Sequence, residues 1–150
     1  MRLVLQRVEK ASVFIDKALF SSIDKGFVIL VGIENEDTDE DIQWLCAKTV
    51  GMRIFADQEG KMNLDIKQIN GEILIVSQFT LHASAKKGNR PSFIKAARPE
   101  VAIPLYEKFI AETEKLLEKS CKTGVFGADM QVELINDGPV TIILDSKSKE

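Results

Sequence analysis

The stretch Glu72-Ile73-Leu74-Ile75-Val76-Ser77-Gln78-Phe79-Thr80-Leu81 reads as a strand whose apolar run turns polar at its C-terminal end. Alternation puts Leu74, Val76, Gln78 and Thr80 on one face, so an amide and a hydroxyl share a direction. Where a sheet opens to solvent, such a pair can converge on a ligand; the plain alternative is a strand end turning polar. A second stretch, Asn136-Asp137-Gly138-Pro139-Val140-Thr141, separates the apolar runs Met130–Ile135 and Val140–Leu144. Its turn chemistry predicts a hairpin, with Pro139 at the start of the returning strand. Gly138 has permissive dihedrals, while Pro139 fixes its own φ, lacks an N–H and makes a cis peptide accessible. The carbonyls of this segment could then be aimed outward.

Working outward, Arg2 to Val8 and Ser12 to Ile23 predict an opening set of antiparallel strands, with Asp16-Lys17 as a hairpin turn. Phe27 to Ile33 is more uniformly apolar and reads as a central strand buried on both faces. Thr38 through Asp41 resembles a capping box, after which Ile42, Leu45, Cys46 and Thr49 recur at helical spacing until Gly51. Arg53 to Phe55 returns as a strand, and Asp57 to Gly60 marks a turn. Pro99 and Glu100 open a second helix with the stripe Val101, Leu105, Phe109, Ile110, Leu116 and Leu117; Pro104 is tolerable only in its first turn or at a kink. With the two closing strands this gives a mixed sheet and two helices, and Ser146 to Glu150 reads as a frayed polar tail.

At 150 residues, 45% hydrophobic and 29% charged, the chain suits one globular domain with a real core. No apolar run is long enough to cross a bilayer, and the N-terminus enters a strand directly, without a secretory h-region, so a cytoplasmic protein without membrane partners is expected. Cys46 and Cys121 lack close pairing and read as reduced structural thiols. With one histidine and two distant cysteines the chain offers no set of three or four convergent zinc ligands, and neither metal nor cofactor is expected. The formal charge is −3, but its distribution is uneven. Between His82 and Arg98 the basic residues Lys86, Lys87, Arg90, Lys95 and Arg98 occur with no acidic residue, directly after Thr80. This is phosphate-binding charge beside the polar strand end, or else a solvated loop. Glu34, Glu36, Asp37, Asp39, Glu40 and Asp41 cluster elsewhere. A nucleophilic Thr80 would need a base; His82 is the one histidine, and no acidic orienter for it is evident.

The strand ending Ser77-Gln78-Phe79-Thr80-Leu81, the later Asn136-x-Gly138-Pro139-x-Thr141, Gln6-Arg7-Val8 near the start and the intervening Lys86-Lys87-Gly88-Asn89-Arg90-Pro91-Ser92-Phe93 together resemble the D-aminoacyl-tRNA deacylases of the bacterial and eukaryotic type. The resemblance covers essentially the whole chain. It implies a mixed α/β fold, a largely antiparallel sheet or partial barrel packed with two main helices. It also implies hydrolysis of the ester joining a D-amino acid to the 3′ end of tRNA, which keeps D-residues out of translation. On the family pattern Ser77, Gln78, Phe79 and Thr80 form the catalytic motif, with backbone N–H donors at Phe79 and Thr80 and assistance from the 2′-hydroxyl of the terminal adenosine. Gly138 and Pro139 would form a cis peptide reaching across a homodimer interface, their carbonyls holding the substrate's α-amino group, with Arg7 bracing the loop. An L side chain would strike that wall, whereas glycine would pass. Lys86, Lys87 and Arg90 would then contact tRNA.

Two other readings compete. One is a noncatalytic tRNA-binding or assembly module that keeps the fold and the basic loop. The other is a related editing deacylase of different substrate preference, with Pro-Gln-Ala-Thr-Leu in the strand-end motif; Ser77 and Phe79 follow the D-aminoacyl pattern instead.

Overall fold

Asp16 and Lys17 both lie in the left-handed region, with φ of 50° and 65°, the conformation that matches a two-residue hairpin to the twist of its strands. They join β1 (Arg2–Ile15) to β2 (Ala18–Ile23). In the computed structural model, which describes residues 1–149, the chain continues through β3 (Gly26–Gly32), α1 (Asp39–Gly51), β4 (Phe55–Ala56), β5 (Met62–Leu64) and β6 (Glu72–Ser77). A 3₁₀ turn (Phe79–His82), α2 (Pro99–Leu117), β7 (Lys122–Thr123) and β8 (Gln131–Asp145) follow.

The hub is β1. Its first half pairs antiparallel with β3, from Arg2 opposite Gly32 to Val8 opposite Gly26, and its second half pairs with β2. Along its other edge β8 runs antiparallel for nearly the whole length. Parallel pairing joins β3 to β6, Val31 opposite Ser77, and β6 to β7. Ser21 Oγ donates to the Thr123 carbonyl at 2.8 Å, drawing β2 towards β7 and nearly closing the sheet into a partial barrel. Alternation divides the core: Leu3, Leu5, Phe27, Ile29, Ile73 and Ile75 pack with both helices, while Val8, Val13, Ile23, Val28, Leu74 and Val76 fill the other face. With both faces covered, β3 and β6 read as nearly unbroken apolar runs.

The expected capping interaction begins α1, where the Asp41 carboxylate accepts from Thr38 N–H at 2.8 Å and Thr38 Oγ1 at 3.0 Å. Pro99 starts α2, and Pro104 lies inside it. Its buried stripe differs from the expected one: Ala102, Tyr106, Phe109, Thr113 and Leu117 are buried, Val101 is exposed, and Leu105, Ile110 and Leu116 flank the core. A count of apolar residues misses this stripe because two members are polar. Tyr106 Oη donates to the Ile75 carbonyl at 3.0 Å and Thr113 Oγ1 to Phe109 at 2.7 Å, which satisfies both hydroxyls inside. The predicted tail is also tied down as far as Lys147. Ser146 N–H donates to Met1 at 3.0 Å and Lys147 Nζ to Asp41 at 2.9 Å, while Glu150 lies outside the described residues. Much of the acidic cluster is thereby engaged internally, Asp37 with the Met1 α-ammonium and Asp41 with Lys147. Burial alone would raise the Asp41 carboxyl, but hydrogen bonds from Lys147, Ser146 and Thr38 outweigh it and hold it well below the usual carboxylate range.

Candidate active site

The predicted strand to Leu81 stops at Ser77. Gln78 takes φ −146° and ψ 79°, and the chain then winds into the 3₁₀ turn. The cause is the loss of strand partners: β3 ends at Gly32, β7 pairs only with Leu74 and Ile75, and the last ladder-like bond runs from Gln78 N–H to the Val31 carbonyl at 2.7 Å. Gln78 and Thr80 still meet, through the turn and not through alternation, with Gln78 Nε2 donating to Thr80 Oγ1 at 2.5 Å. The N–H groups of Phe79 and Thr80 open the turn, where helical geometry supplies no acceptor, and neither donates to a partner among the described residues. Beside them lies a cavity of about 280 Å³, walled by Val31, Ile33, Val76 and Gln78 on one side and by Phe126 to Met130 on the other.

His82 is no base for Thr80. Its Nδ1 lies 2.8 Å from Glu34 Oε1, and its buried Nε2 has no hydrogen-bond partner among the described residues. The acidic partner that the sequence left unseen is thus present, but it engages the imidazole, while the Thr80 hydroxyl is taken by the Gln78 amide. Past His82, Ser84 and Ser92 bond to each other at 2.8 and 2.9 Å across a narrow loop whose tip exposes Lys86, Lys87 and Arg90. On its returning limb Phe93 meets Phe79 edge-on with ring centroids 5.1 Å apart, and Ala97 lines the cavity. Basic loop and strand-end motif are therefore one neighbourhood.

The predicted hairpin at Asn136–Pro139 is instead a bulge within β8. Val8 faces Asn136 and Gln6 faces Thr141, so Asp137 to Val140 bow out opposite Arg7 alone. Both flanking runs are held in one direction by the same long partner, β1, and that ladder overrides the local turn signal. Gly138 has φ 114°, and the Gly138–Pro139 peptide is cis. Asn136 Nδ2 closes the neck by donating to the Arg7 and Val140 carbonyls at 2.9 and 3.0 Å. Arg7 donates from Nε to the Asp137 carbonyl at 3.3 Å, pairs with the Asp137 carboxylate at 3.0 Å, and bonds through Nη1 to the Ile54 carbonyl at 2.5 Å.

Within one chain the two motifs do not meet, since none of Asn136 to Thr141 lines the cavity. Arg7 faces Phe27, four residues before the Val31 that faces Ser77, and β1 and β3 intervene between β8 and β6. At about 3.3 Å per residue and about 4.8 Å per strand, the bulge lies roughly 20 Å along the sheet from the strand end. Burial pushes the unpaired thiols of Cys46 and Cys121 up to about 12, as suits structural cysteines. No helix among the described residues is long and apolar enough to cross a membrane. Sequence reasoning missed the second cavity wall, Phe126 to Met130; the available signal was an aromatic residue in a turn bounded by Gly124 and Gly127.

A family model described as D-Tyr-tRNA(Tyr) deacylase matches residues 4–145. A protein of Flavobacterium psychrophilum named D-aminoacyl-tRNA deacylase is 60% identical over 150 residues, covering 100% of both chains. One of the same name from Bacteroides thetaiotaomicron is 61% identical with the same coverage. Among solved structures, c-Myc DNA Unwinding Element Binding Protein matches with TM-score 0.91 and 40% identity over 97% of this chain and 98% of that one. A probable eukaryotic D-amino acid tRNA deacylase shares the fold, with TM-score 0.82 at 16% identity over 95% and 97% of the two chains. The chain is an enzyme, a hydrolase of the deacylase class. The chain belongs to the D-Tyr-tRNA(Tyr) deacylase family, and the mixed α/β architecture implied by its motifs is the one observed.

Proposed function

We propose that this protein hydrolyses the ester bond of D-aminoacyl-tRNA, releasing free D-amino acid and tRNA, as a cytoplasmic homodimeric proofreader of chirality. The observation that carries the reading is the pair of unengaged N–H groups, Phe79 and Thr80, beside the cavity. An aminoacyl ester is already activated, so the enzyme needs chiefly to place water and stabilise the tetrahedral oxyanion. One preorganised donor of this kind is worth about 2.7–4 kcal/mol in other hydrolases. Ser77 ends the strand, and Gln78 holds the Thr80 hydroxyl. With no base bonded to its Oγ, Thr80 orients and does not attack, and the 2′-hydroxyl of the terminal nucleoside assists.

Gly138 and Pro139 act in the partner's site. The lining of their own chain's cavity supports this, because none of Asn136 to Thr141 is part of it. The Gly138 and Pro139 carbonyls hold the α-amino group, and the wall they form excludes an L side chain while admitting a D side chain or glycine. Lys86, Lys87 and Arg90 take the acceptor-end phosphates. The exposed basic loop also favours a second reading, a noncatalytic nucleic-acid-binding module. Release of amino acid from matched D- and L-tyrosyl-tRNA, with a Gly138→Ala/Pro139→Ala variant alongside, separates them. Rapid D-selective release lost in the variant is expected; tRNA binding with no release above background from either substrate would establish the module.

A further inference from the structure

The 3₁₀ turn that carries Phe79 and Thr80 is a single turn, and what fixes it lies outside it. We propose that His82 and Glu34 form a positioning pair for deacylation, holding the Phe79 and Thr80 N–H groups in their productive direction; this rests on the function proposed above. The His82 side chain is 1% exposed and spends one nitrogen on Glu34 at 2.8 Å. That nitrogen, Nδ1, donates to the carboxylate, and Nε2 is left without a partner among the described residues. A socket receives the ring: a methyl group on Gly32 would lie 3.0 Å from its Cδ2 and 3.1 Å from its Nε2.

Glu34 is itself anchored. Its N–H donates to Asp37 Oδ2 at 2.7 Å, its backbone bridges to Ala96, and the adjacent Ile33 carbonyl accepts from Ala97 N–H at 2.8 Å. Ile33 and Ala97 both line the cavity. From the other side Arg2 Nη1 donates to the Leu81 carbonyl at 2.7 Å. The donor turn is thus clamped at Leu81 by Arg2 and at His82 by Glu34, and the second clamp is rooted where the basic loop rejoins the sheet. A core-filling role accounts for the burial of His82 but not for its directed bond to a carboxylate. A general-base role would require the free nitrogen to face Thr80, and it faces Gly32.

A pair that sets donor direction governs the chemical step and leaves tRNA affinity alone. Single-turnover release from D-tyrosyl-tRNA, with intact protein in varied excess, gives the maximal rate and the half-saturating concentration. His82→Leu and Glu34→Leu are each expected to lower the maximal rate roughly ten- to hundredfold, the scale of a misplacement of about 1 Å, at unchanged half-saturation. The double variant should be no slower than either single one. His82→Asn, which can donate from the place of Nδ1, and Glu34→Gln, which keeps the acceptor, should recover most of the rate. A folded His82→Leu protein at the wild-type rate, a slow His82→Leu that Asn fails to rescue, or a change confined to half-saturation would each overturn the proposal. Glu34 is partly exposed, so Glu34→Ala spares the core and supports a second readout. Amide exchange at Leu81 and Ala83, which bond back to Gln78 and Thr80, should quicken at least tenfold in it. If the wild-type protein releases nothing, the proposed function falls, and equal exchange in wild type and Glu34→Ala would still overturn the pair.

Discussion

Removing the Arg7 guanidinium tests whether the β8 bulge is held or merely present. Arg7 is the β1 residue opposite the bulge, its side chain is 13% exposed, and it serves the Asp137 and Ile54 carbonyls together with the Asp137 carboxylate. Hydrogen bonds to a charged group contribute about 1.5–3 kcal/mol each, and a partly exposed ion pair about 0–1 kcal/mol more. Water reaches some of the freed acceptors, so the contributions do not add fully, and Arg7→Ala should lose about 3 kcal/mol. Against the roughly 5–15 kcal/mol that holds a domain of this kind together, the protein stays folded. At about 2–4 °C per kcal/mol for this size, the melting temperature should fall roughly 6–12 °C. Deacylation, measured well below both midpoints, should fall at least about tenfold once the Gly138 and Pro139 carbonyls lose their mount. Arg7→Lys keeps the charge without the fork and should be intermediate. A melting temperature within about 2 °C of wild type, under 1 kcal/mol, together with an unchanged rate would refute the bracing role.

Three other perturbations probe separate parts of the molecule. Replacing Lys86, Lys87 and Arg90 with Gln should flatten the dependence of log K on log salt for tRNA by about three, near one unit per phosphate contact; an unchanged slope would exclude them from the interface. Thr80→Ala should keep most of the single-turnover rate, whereas collapse to background would make the hydroxyl the nucleophile. Asp41 is held below its unfolded value of 3.8, so its contribution to stability is complete above that pH and is lost as pH falls through the lower folded value. Lys147→Met removes its leading stabilising contact, and should cost about 1–2 kcal/mol by urea unfolding at pH 7 and move acid unfolding to higher pH.

What was legible in the sequence follows the range of the interactions involved. β3 and β6 announce themselves because both faces of each are buried, and Thr38 and Pro99 mark helix starts through local chemistry. The bulge was illegible for the opposite reason. Asn136 to Pro139 has turn chemistry in any window, and only the ladder to β1 on both flanks converts it from hairpin to bulge. The strand end misled in the same way, since Gln78 to Leu81 carries strand-forming residues and lacks only neighbouring strands to pair with. In α2 the buried Tyr106 and Thr113 disguise the stripe, because their hydroxyls find carbonyl partners that the sequence does not display.

The residue types of the site were readable and their distribution in space was not, and that distribution carries the sharpest test of the proposed assembly. If the bulge of one protomer completes the cavity of the other, a two-fold arrangement makes both sites reciprocal, each borrowing Gly138 and Pro139 from across the interface. Phe79→Pro removes one N–H donor at the first position of a turn, where proline is tolerated. A heterodimer joining a Phe79→Pro chain to a Gly138→Ala/Pro139→Ala chain then holds one site with both lesions and one with neither. Such a heterodimer, purified through two different tags, should release D-amino acid at about half the wild-type rate, while each homodimer is inactive. Were the bulge to serve its own chain's cavity, each site would carry one lesion and the heterodimer would be as dead as its parents. The absence of Asn136 to Thr141 from the lining of their own chain's cavity is why the first outcome is expected.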